Sequence, residues 1–403
     1  MRILFINTCC GGSTGRICTD LANALEGMGH QVRIAYGRDA IPEPAEKYAH
    51  RIGSQAGVYC HALRARLLDD AGFGSRRATE EFIRWVEAFD PDIIHLHNLH
   101  GYYLHVGVLF DYLRRCGKRI LWTLHDGWAY TGHTPYCDAV SCTRWVTGCG
   151  HCPQKSEYPS TLLDRSHRNW LKKRAVFSNI PNMQLIVPSR WMAEQVSQSF
   201  LKDYPVHMIH NGVDTACFRP HPSEKAARPG SGSLREDLGL LGKEVLLGVA
   251  SVWNDQKGFS DFIRLAGMLS GRQRIVLIGL TRQQITRLPQ SILGIERTAS
   301  ARELARYYAM ADYFVNLTYQ DTYPTTNLEA ISCGTPVITY QTGGSPESAL
   351  LYGTAVPRGD VAAVARLLRA STAFTPAPNL NLDKSATLEQ YLKLYLPTQA
   401  GGA

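Results

Sequence analysis

The chain has 403 residues, of which 44% are hydrophobic and 19% charged, and a formal net charge of +8. That balance excludes a disordered chain and allows two ordinary domains, each with its own core. No apolar run approaches the ~18 residues of a bilayer span, and the N-terminal segment lacks the apolar region and cleavage site of a signal peptide, so a cytoplasmic protein is expected.

The positive excess is spread over both halves and suits an anionic partner, such as a nucleotide or an anionic lipid surface. No nucleic-acid motif accompanies it, so nucleic acid is not expected as a partner. Eleven cysteines in a reducing compartment point to thiols or metal ligands over disulfides.

The chain opens on the strand pattern "RILFINT", then the Gly-rich "CCGGSTGR", which contains Gly12, then a helical stretch "ICTDLANALEGMGH" with Leu21, Leu25 and Met28 at helical spacing. "QVRIAY" is a second strand, and the alternation continues through helical "ATEEFIRWVEAF", strand "DIIHLHN", helical "VGVLFDYLRRC", strand "RILWTLH" and strand "MQLIVPS". Strand and helix in alternation predict a parallel sheet with helices on both faces. The stretch 210–233, rich in Pro, Gly and Ser, reads as a linker or a loop-rich entrance to the second domain. A second alternating series then begins: "EVLLGVAS", "GFSDFIRLAGML", "RIVLIGL", "ARELARYYAMA", "DYFVNLT", "TTNLEAISC" and "TPVITYQ". A last helix, "ATLEQYLKLYL", follows a Pro/Asn-rich segment. The expected domains are 1–204, 205–382, and a C-terminal helix and tail over 383–403 able to pack back on the first domain. Two doubly wound Rossmann-like α/β domains should face a central cleft, with ligands at the carboxyl ends of the strands.

The densest polar constellation is "DTYPTTNLEAISCGTPVITYQTGGSPE", residues 321–347. Pro324 suits the start of a helix whose first N–H groups, those of Thr325, Thr326 and Asn327, point outward. Such a start at the end of a parallel strand is an anion site fit for a diphosphate. Asp321 precedes it and Glu329 lies one turn in, so the two carboxylates can accept paired hydrogen bonds from sugar rings at either end of a diphosphate. Singly, Asp321 also fits a turn acid and Glu329 a helix-surface residue. Lys257, in the turn after "EVLLGVAS", adds a cation, and on its own also fits an exposed turn lysine.

"CDAVSCTRWVTGCGHC" holds Cys137, Cys142, Cys149 and Cys152. The Cys149-x2-Cys152 spacing is that of a zinc knuckle, so the loop reads either as a clamp for one structural zinc or as a reduced loop with incidental thiols.

The order "GGSTGR", "HDGWAYTGH", "VPSRW", "HNGVD", "QKGF" and the 321–347 stretch resembles the retaining glycosyltransferases of family four, which have the GT-B fold, over nearly the whole chain. It is most similar to the bacterial exopolysaccharide and capsule branch that includes the colanic acid glycosyltransferases. The resemblance implies transfer of a sugar from a nucleoside-diphosphate donor to a glycan or polyprenyl-diphosphate-linked acceptor, at the cytoplasmic face of a membrane, with no metal or other cofactor needed for catalysis.

It also implies roles for individual residues. Asp321 should bind hydroxyls of the donor sugar and Glu329 the ribose. Lys257 and the Thr325 and Thr326 amides should hold the diphosphate, with Gly12 in the facing loop. His125 should lie at the donor sugar with Asp126 beside it. Read from the residues themselves, "HLHNLHGYY", with Asn98 and Tyr102, and the Trp128 and Tyr130 aromatics of "HDGWAYTGH" offer sugar-stacking and hydrogen-bonding surfaces to the acceptor, with Asp126 a further contact. The family pattern has Glu where this chain has Asp321, and an arginine where it has Val252, which leaves Arg282 or another cation to take the second role. Alternative readings are a sugar-nucleotide epimerase of the same fold and a nucleotide-sugar-binding subunit without catalysis.

Overall fold

The computed structural model describes residues 1–396, so the last seven residues of the expected tail, 397–403, lie outside the described part. The described chain divides into two compact units, one formed by Met1–Ile209 with residues 388–396, the other by His210–Thr387. No described helix is long and apolar enough to cross a membrane.

In the first unit the elements are β1 (Arg2–Asn7), α1 (Gly12–Gly27), β2 (Gln31–Tyr36), β3 (Ala49–Arg51), α2 (Gln55–Leu68), α3 (Arg76–Phe89) and β4 (Ile93–Leu96). They continue with α4 (Val106–Arg115), β5 (Arg119–Thr123), α5 (Ser166–Phe177), β6 (Met183–Val187), α6 (Arg190–Gln198) and β7 (Val206–Met208). The seven strands lie in the order β3-β2-β1-β4-β5-β6-β7, and every pair is parallel. β1 is apolar along its length because helices cover both sheet faces, and its side chains alternate between two cores. Leu4 and Ile6 join Ile94, Leu96 and Trp122 on one face, while Ile3 and Phe5 join Ile34, Leu121 and Ile186 on the other.

The second unit contains α7 (Pro222–Lys225), α8 (Leu234–Asp237), β8 (Glu244–Val249), α9 (Phe259–Ala266), β9 (Gln273–Ile278), α10 (Arg282–Ile285) and β10 (Ile292–Ile295). It goes on with α11 (Ala301–Met310), β11 (Tyr313–Asn316), α12 (Thr325–Ser332), β12 (Val337–Tyr340), α13 (Ser345–Ala349), β13 (Gly353–Val356) and α14 (Val361–Arg369), and α15 (Lys384–Tyr395) follows. Six parallel strands run β10-β9-β8-β11-β12-β13. Phe314 points into one core with Val245, Leu247 and Val337, whereas Tyr313 and Val315 point into the other with Leu246, Leu277 and Ile338. Tyr391 and Tyr395, at the end of α15, are buried in the Phe5 core of the first unit.

Each sheet reverses direction once, between β1 and β4 and between β8 and β11. The loops leaving the carboxyl ends of these strands diverge there, which opens a crevice where doubly wound sheets bind ligands.

Two local expectations change. Residues 12–16 are the first turn of α1 and not loop, and Gly15 is the glycine that packing demands, since a Cβ there would lie 2.3 Å from the Cys10 carbonyl carbon. Of the two readings of residues 210–233, the free linker falls and the loop-rich entrance to the second unit holds. Val213 bridges to Asp383, Phe218 is core, and buried Glu224 pairs with Arg306 at 2.7 Å.

Candidate functional site

In the second unit the site grows from the ends of β8 and β11. The chain leaving β11 is latched at once to the chain leaving β8: the Tyr319 N–H donates to the Gln256 carbonyl (2.8 Å) and the Gln320 side chain to that of Gln256 (2.6 Å). The Tyr319 and Tyr340 hydroxyls both donate to buried Asp261 on α9, each at 2.7 Å. Gly258 follows Lys257 with φ +78, and a Cβ there would meet the Leu317 carbonyl oxygen at 2.3 Å, so only glycine lets the two loops touch. The latch brings Lys257 and Asp321 together, with Nζ 3.2 Å from Oδ2 and side chains 38% and 24% exposed.

α12 begins at Thr325 after Pro324, as the sequence predicts. Its first turn is aimed by Asn327, a fully buried side chain that accepts from Asn316 Nδ2 (2.9 Å) on β11 and donates to Ser348 Oγ (2.9 Å) on α13. Thr325 and Thr326 stand half-buried at the helix start, where the first N–H groups have no acceptor within the helix, but the Asn327 N–H, expected to point outward with them, donates instead to the Pro324 carbonyl (3.2 Å). The Gly-Gly turn belongs to the same assembly. Gly344 N–H donates to the Asp321 carbonyl (3.1 Å), and a Cβ on Gly343, at φ +53, would lie 1.9 Å from that oxygen.

Glu329, one turn into α12, accepts from the Tyr308 hydroxyl at 2.9 Å. Tyr308 is buried, and burial followed by the neighbouring Glu329 charge holds its hydroxyl protonated, a permanent donor to that carboxylate. Arg282 is 87% exposed and paired with Glu296 at 2.8 Å, while Val252 is exposed.

In the first unit the candidates gather at the ends of β1, β4 and β5. Buried Asn7 ends β1, donating to the Cys9 carbonyl (2.8 Å) and to Thr14 (3.2 Å), while its Oδ1 accepts the Asn98 N–H (3.2 Å). The Asn98 carbonyl takes the hydroxyls of Thr8 and Tyr103, which fixes its backbone. Gly12, at φ +68, has open space where a side chain would be.

His97 Nδ1 is 2.9 Å from His125 Nε2, with the rings stacked at 5.2 Å. Behind them His95 bonds Thr123 (2.8 Å) and the Tyr395 hydroxyl. Burial lowers His125 to about 4 and pushes His95 and His97 down as well, so all three rings are neutral near pH 7.

Asp126 accepts from Trp128 N–H (2.9 Å) and pairs with His100 Nε2 (2.9 Å). Burial would raise its pKa, but the neighbouring His100 and these hydrogen bonds hold it below the ordinary value. His100 also meets the Tyr158 hydroxyl (3.1 Å), and Tyr102 packs edge-on against Tyr158. Trp128 corrects an expectation: it is buried, with the Lys173 ammonium 3.6 Å from its ring centroid, so the ring is core and not a sugar-stacking surface. The partly open polar groups are instead His100, Tyr102 and Tyr158. His100 lies within "HLHNLHGYY" but nothing singles it out there, and Tyr158 carries no motif that marks it in sequence.

The cysteine loop collects its four thiols. Cys142 is lowered to about 6, first by the hydrogen bond from Cys137, and also accepts the Arg144 N–H. Cys149 accepts Gly132 N–H at 3.2 Å, and Cys152 accepts the Gln154 N–H. As the side chains stand, no three or more His, Cys, Asp or Glu among the described residues are grouped so as to hold a metal ion.

Residues 12–216 match the sequence profile of Glycosyltransferase Family 4, and residues 243–371 that of the Glycosyl transferases group 1. A protein of Escherichia coli (strain K12) named as a colanic acid biosynthesis glycosyl transferase, WcaC, is 27% identical over 265 residues. That stretch is 62% of this chain and 59% of that one, so the match spans about three fifths of the relative's length. Among solved structures, sucrose-phosphate synthase of Thermosynechococcus elongatus superposes with a TM-score of 0.70 at 18% identity, covering 98% of both chains. HepE of Anabaena, solved with UDP-glucose, gives 0.65 at 15% identity, covering 98% of this chain and 99% of that one. At these identities the likeness establishes the fold: two parallel-sheet Rossmann-like units of the GT-B class.

Proposed function

The chain belongs to glycosyltransferase family 4, and from that premise we propose that it transfers a sugar from a nucleoside-diphosphate donor to a glycan or lipid-linked oligosaccharide acceptor in polysaccharide biosynthesis, with retention at the anomeric carbon. The observation that carries this reading is the Lys257–Asp321 pair at the start of α12, at the switch point of the second sheet. A cation, outward-facing amides and two carboxylates there match a diphosphate with a sugar at each end. The WcaC relative, named for colanic acid biosynthesis, supports the polysaccharide class, and HepE, solved with UDP-glucose, supports the donor class.

In this reading Lys257 and the Thr325 and Thr326 amides stabilise the departing diphosphate, the task a metal performs elsewhere. Asp321 holds hydroxyls of the moving sugar and Glu329, aimed by Tyr308, holds the ribose. The bond from the anomeric carbon to the phosphate oxygen breaks, the acceptor oxygen bonds that carbon on the same face, and the acceptor proton passes to the departing phosphate oxygen. Neutral His125, positioned by His97, supports the sugar and moves no proton. Asn98, Tyr102 and Asp126 serve the acceptor, which is presented at an anionic membrane face.

The test is a panel of nucleotide sugars screened for thermal stabilisation. A true donor at 100 times its dissociation constant should add ~2.7 kcal/mol. Nucleoside diphosphate should then be released only when an acceptor is added. Donor conversion without acceptor assigns an epimerase, and binding without turnover assigns a binding subunit.

A further inference from the structure

The second unit has another opening, at the amino ends of its strands and so at the opposite end of the sheet from Lys257 and Asp321. A cavity of about 550 Å³ or less, 510 Å³, is lined there by three cations, two acids and three aromatic rings. That volume lies in the range of small-molecule sites, roughly 300–1,000 Å³.

Each cation is held by contacts of its own. Arg235, on α8 and 9% exposed, donates through Nε to the Met310 carbonyl (2.8 Å) and through Nη2 to Asp312 Oδ2 (2.7 Å). Asp312 also accepts the Val245 N–H at 2.7 Å, so this pair neutralises itself and forms a fixed floor at the starts of β8 and β11. The other two cations are different. Lys225, the last residue of α7, donates to the Gly334 carbonyl (2.7 Å), and Lys243, just before β8, to the Gly271 carbonyl (2.7 Å). Neither pairs with a carboxylate among the described residues, and the second acid of the cavity, Glu244, accepts from Gln273 Nε2 at 2.6 Å. An ammonium has three donors, so each lysine keeps two N–H groups for a ligand. Burial lowers Lys225 below the ordinary lysine value, with Asp312 offsetting it only in part, as expected of an ammonium short of negative charge.

The rings form a wall beside the lysines. Tyr313 is fixed by its hydroxyl, which donates to the Thr372 carbonyl (2.9 Å), and it packs edge-on against Phe374 with 6.4 Å between centroids. Tyr352 and Phe374 are only partly buried and leave ring surface open to the cavity.

We propose that this cavity binds a small phosphate monoester carrying a ring, a sugar phosphate or a nucleoside monophosphate, with the phosphate between Lys225 and Lys243 and the ring against Tyr352 and Phe374. A phosphate brings several acceptor oxygens and a double negative charge to two ammoniums that lack a counter-ion, and the attached ring covers apolar surface that an inorganic anion would leave wet. A neutral glycan would leave both ammoniums uncompensated. β8 and β11 start at this cavity and lead to Lys257 and Asp321 at their other ends, so the occupant is additional to the sugar donor and does not touch it.

The test is calorimetry of the full chain with inorganic phosphate, glucose 1-phosphate and adenosine monophosphate. One or both esters should bind at one per chain and at least about tenfold tighter than inorganic phosphate, and their order separates a sugar phosphate from a nucleotide. Lys225→Gln with Lys243→Gln should weaken ester binding by about tenfold for each lysine, with the melting temperature nearly unchanged because each side chain gives up one hydrogen bond to a carbonyl. Tyr352→Leu should weaken the esters and leave inorganic phosphate as it was. Lys257→Met, at the other end of the strands, should leave ester binding intact, which keeps this result separate from the transferase reading. The proposal is overturned if neither ester binds, if the lysine double variant binds them as wild type does, if inorganic phosphate binds as tightly as both esters, or if binding is lost in Lys257→Met instead.

Discussion

Lys257 Nζ lies 3.2 Å from Asp321 Oδ2, so two groups assigned to one ligand, 64 residues apart in the chain, are each other's counter-ion. A diphosphate competes with Asp321 for the ammonium, and the carboxylate it releases is then free for sugar hydroxyls. Lys257→Met should therefore weaken nucleoside diphosphate binding by roughly the 1.5–3 kcal/mol of a charged hydrogen bond. Asp321→Ala should bind the diphosphate as well as wild type or better, because Lys257 no longer has a competing partner, yet lose transfer and discrimination among donor sugars. Calorimetry with the diphosphate and with intact donor decides, and equal loss of diphosphate affinity in both variants contradicts this division of roles.

Glu329 is set by Tyr308, whose buried hydroxyl stays protonated and can only donate to it. Glu329→Ala should lose about 1.5–3 kcal/mol of nucleoside diphosphate affinity through the ribose. Tyr308→Phe keeps the carboxylate and removes one neutral donor, so it should cost about 1 kcal/mol, felt by nucleosides with a ribose and not by inorganic diphosphate. A Tyr308→Phe chain that loses inorganic diphosphate binding as well would show the hydroxyl shaping α12 as a whole.

The strand order and the start of α12 were legible in sequence because buried parallel strands are apolar runs and Pro324 marks a helix start. The supports of the site were not. Tyr308 sits at helical spacing and reads as core, Asn327 reads only as a backbone N–H donor at the helix start, and nothing near either side chain signals a partner on another element. His100 and Tyr158 meet across 58 residues of chain, a pairing that only the fold creates. α2 lacked the 3.6-residue stripe that reveals an amphipathic helix, because it is apolar on both sides. Trp128 was misplaced for the opposite reason: as an aromatic in a polar motif it reads as a stacking surface, but it is buried, with Lys173 Nζ packed against its ring. Gly343-Gly344 reads in sequence as an ordinary turn, whereas its work is to let residue 343 approach the Asp321 carbonyl, so Gly343→Ala should displace Asp321 and impair sugar discrimination before nucleotide binding.

Three buried histidines make stability depend on pH in a definite direction. His95, His97 and His125 are all held below the ordinary 6.5 by burial, His125 at about 4. Between those two values the unfolded chain binds protons that the folded chain does not, so stability falls as pH drops from about 6.5 towards 4. Above about 6.5 these groups contribute no slope. Each contributes up to about 1.4 kcal/mol per pH unit inside its window. The melting temperature should fall from pH 7 to pH 5, more gently in His97→Asn, which removes one of the titrating rings. A flat profile over that interval would show that the rings are not buried as neutral species.

The cysteine loop sets spacing against geometry. No closed metal-binding group exists among the described residues as the thiols stand, yet three of the four sulfurs accept a backbone N–H, from Arg144, Gln154 and Gly132. Burial raises Cys149 and Cys152 to about 11 despite those donors and raises Cys137 as well, so only Cys142 favours the thiolate without a metal, and a bound cation would have to displace the other protons; the loop contains only short 3-10 turns that such an ion could draw together. On that ground purified protein should carry about one zinc per chain. Cys149→Ser should lose it with a lower melting temperature, and chelation of the wild-type protein should reproduce that loss. Because Lys257 and the α12 amides are assigned the leaving diphosphate, sugar transfer at low temperature should outlast the chelator even as stability drops. Metal-free protein whose melting temperature matches that of Cys149→Ser would make these four residues a reduced loop, and transfer that stopped on chelation while the fold held would move the metal into the catalytic step.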